Sequence, residues 1–284
     1  MKTKKVSVPS LRARKHEGKR IAMVTAYDAL FARMVDESGV DVVLVGDSLG
    51  TVFQGLDNTL AVELDDIIYH CRAVARGVSR AHIVGDMPFM SYQLSPEQAL
   101  SSAGQVIKKG RAESVKLEGG AEVAESVRRI VRAGIPVMGH LGLTPQSIHA
   151  MGGHRIQGRD EEARDRLISD ARILEEAGVF AIVLEGIPLE AARDVTALVD
   201  VPTIGIGAGP HCDGQVLVLP DLLGLTDKFR PRFLKRYESF AERGRKAVST
   251  FVEEVQQGLF PAEEHSFSVD ELRERDRPAQ PADA

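Results

Sequence analysis

Four short apolar segments of this chain each end in a carboxylate, and this pattern indicates an active site. The segments are residues 41–47, 81–86, 114–118 and 179–185, and they end in Asp47, Asp86, Glu118 and Glu185. A continuous apolar run of this length is typical of a strand that is buried on both faces, and parallel α/β proteins carry their reactive residues at the carboxyl ends of such strands. Acids that meet at one edge of a sheet repel one another, so they need a cation or a shared proton.

Each acid taken alone has a simpler interpretation, which is capping of the helix that follows the strand. That interpretation is less convincing for the whole set, because Asp47 and Asp86 both follow Val-Gly and neither precedes an obvious helix start. We therefore interpret the acids as groups that do chemistry.

Strand parity predicts which side chains share the pocket. Side chains alternate along a strand, so Lys116 and Glu118 are expected to face the interior while Val115 and Leu117 face the surrounding helices. A purely structural ion pair between Lys116 and Glu118 is the alternative. His140 ends the predicted fifth strand, and its position beside the acids favours a functional role over that of a core histidine.

Composition favours a small-molecule enzyme. Lys and Arg total 36 against 41 Asp and Glu, a net charge of -5, which argues against nonspecific binding of nucleic acid. The two cysteines cannot form a disulfide framework and are expected to be reduced thiols. The N-terminus lacks the apolar stretch of a signal peptide, and no segment has the length of a membrane span. We therefore expect a cytoplasmic protein without a membrane partner.

Strand-like runs alternate with helical stretches along the chain. The predicted strands are residues 21–25, 42–46, 82–85, 114–117, 136–139, 181–184, 202–205 and 216–219, and the clearest predicted helices are residues 29–38, 64–77, 96–109, 121–133 and 161–177. Glycines are predicted to end helices at Gly39, Gly77, Gly134 and Gly178.

The number of strand-helix units favours one α/β domain, a (β/α)8 barrel, over an open doubly wound sheet. The barrel is predicted to occupy residues 1–264. Residues 265–284 form a tail that is expected to be mobile or to take part in subunit contacts.

Longer motifs closely resemble the ketopantoate hydroxymethyltransferase family. They are Val-Gly-Asp-Ser-Leu-Gly at 45–50, Asp-Met-Pro-Phe at 86–89, Val-Lys-Leu-Glu-Gly-Gly at 115–120, Gly-His-Leu-Gly-Leu-Thr-Pro-Gln at 139–146 and Phe-Pro-Ala-Glu-Glu-His-Ser-Phe at 260–267. The resemblance extends from about residue 6 to residue 267 and implies a barrel of the phosphoenolpyruvate mutase and ketopantoate hydroxymethyltransferase type.

The resemblance also implies an activity. The family transfers a hydroxymethyl group from 5,10-methylenetetrahydrofolate to 3-methyl-2-oxobutanoate through a magnesium-stabilised enolate, and the product 2-dehydropantoate leads to pantothenate, a precursor of coenzyme A. The family also implies a homo-oligomer, a decamer.

Roles for individual residues follow from the same resemblance. It implies Mg²⁺ ligation by Asp47, Asp86 and Glu118, and substrate binding by Asp47, Ser48, Asp86 and Lys116. Glu185 matches the proposed general base, and we assign His140 to the pocket wall or to proton handling.

Two other interpretations stay open. A lyase of the phosphoenolpyruvate mutase and isocitrate lyase type would share the barrel and the magnesium chemistry. Such lyases usually carry a reactive cysteine in a Lys-Lys-Cys-Gly-His type of loop, which this sequence lacks. A catalytically silent barrel that serves assembly or metabolite binding is the second, and the intact set of acids argues against it.

Overall fold

Eight parallel strands close into a barrel in the computed structural model, which describes residues 4–226 and 230–269. Each strand pairs with the next along the chain, and the last pairs with the first, with Ile21 opposite Gly214. The strands are β1 (Ile21–Thr25), β2 (Val42–Val45), β3 (His82–Asp86), β4 (Ser114–Glu118), β5 (Val137–Gly142), β6 (Ala181–Glu185), β7 (Thr203–Ile206) and β8 (Gly214–Leu217). The predicted (β/α)8 barrel is confirmed.

Helices surround the barrel and fill most of the connections between strands. They are α1 (Val8–His16), α2 (Ala29–Glu37), α3 (Leu49–Val52), α4 (Leu64–Gly77), α5 (Pro96–Gly110), α6 (Ala124–Arg132), α7 (Ile148–Met151), α8 (Glu161–Ala177), α9 (Leu189–Leu198), α10 (Leu219–Leu222) and α11 (Phe240–Gln256). Three short 3-10 turns lie at Ala121–Val123, Pro145–Ser147 and Glu263–His265. The predicted helices are confirmed to within a residue or two, except that the predicted helix at 121–133 begins as a 3-10 turn.

The buried strands separate two apolar cores because their side chains alternate in direction. Val115 and Leu117 of β4 belong to the larger core between the strands and the helices. A second core inside the barrel includes Met23, Val84 and Met138. The barrel interior is therefore a packed layer of side chains, as in other (β/α)8 barrels, and it forms an apolar floor beneath the mouth.

Glycines end three of the helices as predicted, since Gly39, Gly134 and Gly178 adopt φ values of 87°, 85° and 99°. Gly77 also ends a helix as predicted, but as the last residue inside α4 and without a positive φ. A Cβ at Gly77 would lie 2.3 Å from the carbonyl oxygen of Ala29. Gly77 therefore allows α4 to pack closely against α2, a contact between distant segments that the local sequence does not show.

Three further predictions concern the cysteines, membrane-spanning segments and the division of the chain into a barrel and a tail. Cys71 and Cys212 are both free and buried, as expected of reduced thiols. Among the described residues no helix is long and apolar enough to cross a membrane. The division into a barrel at 1–264 and a tail at 265–284 stays a prediction, and residues 270–284 of that tail lie outside the described residues.

Candidate active site

The predicted site residues lie together at the carboxyl ends of neighbouring strands. The strand register sets Asp86 of β3 opposite Lys116 of β4, and Glu118 of β4 opposite His140 of β5. Asp47 lies just beyond β2, and its main-chain N–H donates a hydrogen bond of 3.2 Å to Asp86 Oδ2. The sheet therefore brings four adjacent strand ends into one cluster.

Lys116 is the central cation of this cluster. Its Nζ lies 2.8 Å from Asp86 Oδ1, 3.1 Å from His140 Nδ1 and 4.0 Å from Glu118 Oε1. The side chains of Lys116 and Asp86 are only 4% and 2% exposed, so water screens their attraction weakly. The prediction that Lys116 and Glu118 face the same pocket is confirmed.

His140 connects the buried acids to Glu185. Its Nδ1 lies 3.3 Å from Glu118 Oε1, and its Nε2 lies 3.3 Å from Glu185 Oε2. The side chain of Glu185 is 21% exposed, whereas that of His140 is 3% exposed. Glu185 is thus an acid that solvent can reach and that contacts a buried ring.

Two of the carboxylates are difficult to ionise in this environment. Burial, together with the nearby charges of Asp86 and Glu118, raises the pKa of Asp47 to about 8 against the opposing effect of Lys116. Burial also raises the pKa of Asp86, although Lys116 lowers it in part. Full ionisation of the acids would leave an excess of negative charge over Lys116 and His140, which a bound cation would relieve.

The pKa values of the two basic groups, Lys116 and His140, are also raised, which favours their charged forms. Burial and Lys116 both act to lower the pKa of His140, but hydrogen bonds to Glu118 and Glu185 raise it to about 9. Burial likewise acts against the charge of Lys116, yet the surrounding carboxylates raise its pKa above the usual value. Burial raises the pKa of Glu118, but the nearby imidazole of His140 reverses the shift and leaves the pKa below its ordinary value.

Ser48 follows Asp47 in the connection after β2. Its Oγ lies 2.9 Å from the hydroxyl of Tyr27, which anchors it at the rim beside Asp47. The expectation that no helix starts after Asp47 is wrong, because the single turn α3 begins at Leu49. The expectation that Asp47 is not a helix cap still stands, since its carboxylate accepts from the side chain of Gln146 instead.

Sequence reasoning assigned no role to two buried residues of the site, Gln146 and Tyr92. The side-chain amide of Gln146 donates to Asp47 Oδ2 at 3.0 Å, and its main-chain N–H donates to Glu118 Oε2 at 3.0 Å. The hydroxyl of Tyr92 lies 2.7 Å from Gln146 Oε1. Gln146 ends a motif that carried the family resemblance, which was the available signal, whereas nothing in the sequence distinguishes Tyr92.

The donor set fits a hard divalent cation that binds few protein groups. Asp86 Oδ1 and Glu118 Oε1 are buried without an aligned hydrogen bond. The described residues contain no group of three His, Cys, Asp or Glu side chains arranged to hold an ion on their own. Mg²⁺ is usually bound by about one or two carboxylates, with waters and substrate oxygens completing the shell. Direct ligation by Asp47 and Asp86, with Glu118 acting through water, is compatible with both observations.

The structural neighbours define the class of protein. Phosphoenolpyruvate phosphomutase from Streptomyces platensis superposes with a TM-score of 0.59 at 14% identity, covering 94% of each chain. Phosphonopyruvate hydrolase in complex with oxalate and Mg²⁺ superposes with a TM-score of 0.58 at 15% identity, covering 94% of this chain and 93% of the other. The protein is thus a (β/α)8 barrel with the fold of the phosphoenolpyruvate mutase and isocitrate lyase superfamily.

Sequence relatives narrow the class to one family. The profile of the ketopantoate hydroxymethyltransferase family matches residues 5–263. A 3-methyl-2-oxobutanoate hydroxymethyltransferase of Pelobacter propionicus is 56% identical over 93% of this chain and 98% of the relative. The enzyme of that name from Geobacter metallireducens is 53% identical over 93% of this chain and 99% of the relative. The chain belongs to the ketopantoate hydroxymethyltransferase family.

Proposed function

We propose that this protein transfers a hydroxymethyl group from 5,10-methylenetetrahydrofolate to 3-methyl-2-oxobutanoate and forms 2-dehydropantoate, with Mg²⁺ as cofactor, in cytoplasmic pantothenate synthesis. The family and the names of its relatives support hydroxymethyl transfer to this keto acid. The observation that carries the proposal in the structure is the partly exposed Glu185, which a buried His140 holds at the rim beside the ionic cluster.

Glu185 is placed to remove the hydrogen from C3 of the keto acid. A general base needs an accessible oxygen and a fixed orientation, and contact with His140 Nε2 supplies the second. The electron pair left at C3 forms a carbon–carbon bond with the one-carbon unit of the folate, and both bonds from that unit to the folate nitrogens break. Water supplies the hydroxyl oxygen. The proton removed from C3 and the one released by water are balanced by protons added to the two nitrogens, and tetrahydrofolate leaves.

The remaining residues bind and orient the keto acid. Lys116 supplies positive charge for its carboxylate, and Ser48 donates a hydrogen bond to the same group. His140 lies between Glu118 and Glu185, so it stabilises the negative charge of the base before the proton arrives. Mg²⁺ bound at Asp47 and Asp86, with Glu118 acting through water, would draw electron density from the keto group and so acidify the C3 hydrogen.

The family evidence disfavours the two rival functions. The lyases that share the fold are only 14 to 18% identical to this chain, and such a likeness concerns the fold alone. A catalytically silent barrel would not need to hold Asp47, Asp86, Lys116 and Glu118 buried and close together, which destabilises the folded state.

We also propose that the protein is a homo-oligomer, a decamer by family resemblance, without nucleic-acid or membrane partners. One feature supports self-association. The helix α11 and the segment after it expose apolar side chains, namely Val248, Phe251, Val252, Val255 and Leu259, which are between 43% and 63% exposed.

Hydrogen exchange at C3 tests the proposed chemistry directly. Removal of the C3 hydrogen needs no one-carbon donor, so wild-type protein with Mg²⁺ should exchange it with heavy water in the absence of folate. Glu185→Gln is nearly isosteric and should slow the exchange by about 10²- to 10⁴-fold while still binding Mg²⁺ and the keto acid. Proton NMR of the C3 signal measures both rates.

Two controls make this experiment decisive. Glu190 lies exposed on α9, so Glu190→Gln should exchange at the wild-type rate. Undiminished exchange in Glu185→Gln would remove Glu185 from the role of base and make His140 the next candidate. Wild-type protein that does not consume 3-methyl-2-oxobutanoate together with the folate would contradict the proposed function itself.

A further inference from the structure

Gln146 holds two of the proposed metal-binding carboxylates at once. Its side-chain Nε2 donates to Asp47 Oδ2 at 3.0 Å, and its main-chain N–H donates to Glu118 Oε2 at 3.0 Å. The residue is 5% exposed and lies in the 3-10 turn that follows β5. A single residue therefore connects the segments at the ends of β2, β4 and β5.

The orientation of the Gln146 amide is fixed by its surroundings. Nε2 faces Asp47 Oδ2 and also the main-chain oxygen of Met87 at 2.9 Å, and both of these atoms are acceptors. The hydroxyl of Tyr92 lies 2.7 Å from Gln146 Oε1 and donates to it. A flipped amide would place its oxygen against two acceptors, so only one orientation satisfies the network.

The network leaves particular oxygens of the acids unused. Gln146 occupies Oδ2 of Asp47 and Oε2 of Glu118, whereas Glu118 Oε1 is buried without an aligned hydrogen bond among the described residues. The main-chain N–H of Asp47 occupies Asp86 Oδ2 in the same way. Each acid is thus held through one oxygen, and the second oxygens of Asp86 and Glu118 lie 2.8 Å from Lys116 Nζ and 3.3 Å from His140 Nδ1, respectively.

We infer that Gln146 is a positioning residue, which fixes the orientation of Asp47 and Glu118 for the binding of Mg²⁺. The inference rests on the metal site of the proposed function and adds to it the protein group that sets the geometry. Groups that orient metal ligands commonly affect metal affinity by about 10- to 100-fold, although they do not touch the ion.

Substitution of the Gln146 side chain tests its hydrogen bond to Asp47 separately from the main-chain hydrogen bond to Glu118. Gln146→Met keeps the length of the side chain and removes the amide, while the main-chain N–H to Glu118 remains. We expect the dissociation constant for Mg²⁺, measured by titration calorimetry without substrate, to rise by about 10- to 100-fold. Tyr92→Phe removes the hydroxyl that donates to the amide oxygen and that also lies 3.2 Å from the main-chain nitrogen and oxygen of Glu118, so it should weaken Mg²⁺ binding in the same direction but by less.

Gln98, in the first turn of α5, provides a matched control. Gln98 also closes a loop through its amide, which donates to the main-chain oxygen of Met90 at 2.8 Å, but no described carboxylate contacts that amide. Gln98→Met should bind Mg²⁺ as wild-type protein does. Steady-state rates give a second measurement, because a positioning role predicts that excess Mg²⁺ restores most of the kcat of Gln146→Met.

Each outcome supports or overturns the inference. A Gln146→Met protein that melts normally and binds Mg²⁺ as tightly as wild-type protein overturns it, and so does a kcat that excess Mg²⁺ fails to restore. If Gln146→Met does not fold, unchanged Mg²⁺ binding by Tyr92→Phe overturns it instead. Failure of wild-type protein to bind Mg²⁺ would overturn the proposed metal site as well, which separates the two failures.

Discussion

Lys116→Met distinguishes a substrate-binding lysine from a purely structural one. Methionine keeps most of the aliphatic stem and removes the charge that lies 2.8 Å from Asp86 Oδ1 and 3.1 Å from His140 Nδ1. The change should have two separate effects, one on the binding of 3-methyl-2-oxobutanoate and one on the stability of the fold.

The expected magnitudes follow from the burial of the cluster. A charge-assisted hydrogen bond contributes about 1.5–3 kcal/mol, so loss of Lys116 should weaken keto acid binding by roughly 10- to 150-fold. Removal of one partner from a buried ion pair typically costs about 3–5 kcal/mol of unfolding free energy. The lower part of that range applies here, because burial already raises the pKa of Asp86 and a proton can replace the lost cation.

Calorimetry and chemical denaturation separate these effects. Keto acid titrated into the Mg²⁺-loaded protein gives the binding constant, and urea unfolding gives the stability. Lys108→Met is the control, since Lys108 is exposed on α5 and contacts no residue of the site. Wild-type affinity for the keto acid combined with reduced stability would refute the binding role and leave Lys116 as a structural ion pair.

Two further predictions concern the metal and the acid stability of the barrel. Asp86→Asn replaces an anionic ligand by an amide, so calorimetry should show at least a roughly 10-fold loss of Mg²⁺ affinity with an unchanged circular dichroism spectrum, and wild-type affinity would exclude Asp86 as a ligand. Burial lowers the pKa of His82 to about 4, whereas its value in the unfolded chain is about 6.5. The unfolded state therefore binds the proton first, and the stability of the fold decreases as the pH drops from about 6.5 towards 4. Urea unfolding at about pH 7.5 and pH 5 should show that wild-type protein loses roughly 2 kcal/mol more than His82→Gln, whereas equal losses would contradict the shift.

The strands of the barrel were predictable because burial on both faces leaves a direct signature in the sequence. Runs such as Val-Val-Leu-Val at 42–45 leave few alternatives, and the glycines around them mark the helix ends. The predicted bounds of the eighth strand were among the least accurate. It was predicted at 216–219 and lies at Gly214–Leu217, because Gly214 and Gln215 do not look like strand residues. Gly214 is needed there because a Cβ would lie 2.5 Å from the carbonyl oxygen of Ile21 in the neighbouring strand.

The site was predictable where strand order alone determines proximity. Asp86, Lys116, Glu118 and His140 lie at neighbouring strand ends, so a parallel barrel must bring them together. The interaction of Gln146 with Asp47 spans 99 residues and joins two loops, and a single sequence contains no periodicity that reports such a contact. The need for glycine at position 77 was not predictable for the same physical reason, since it arises from the neighbouring helix α2.

The apolar floor of the barrel has a consequence for the path of protons. Met23, Val84, Met138 and their neighbours fill the interior beneath the cluster with apolar side chains, which offer no partners for a proton. Among the groups of the ionic cluster in the described chain, Glu185 is the side chain with substantial contact with solvent. If Glu185 is the base, as we propose, the hydrogen that it takes from the substrate arrives at the most exposed group of the cluster, so deuterium carried in at C3 should appear in the solvent and not be returned to the same carbon.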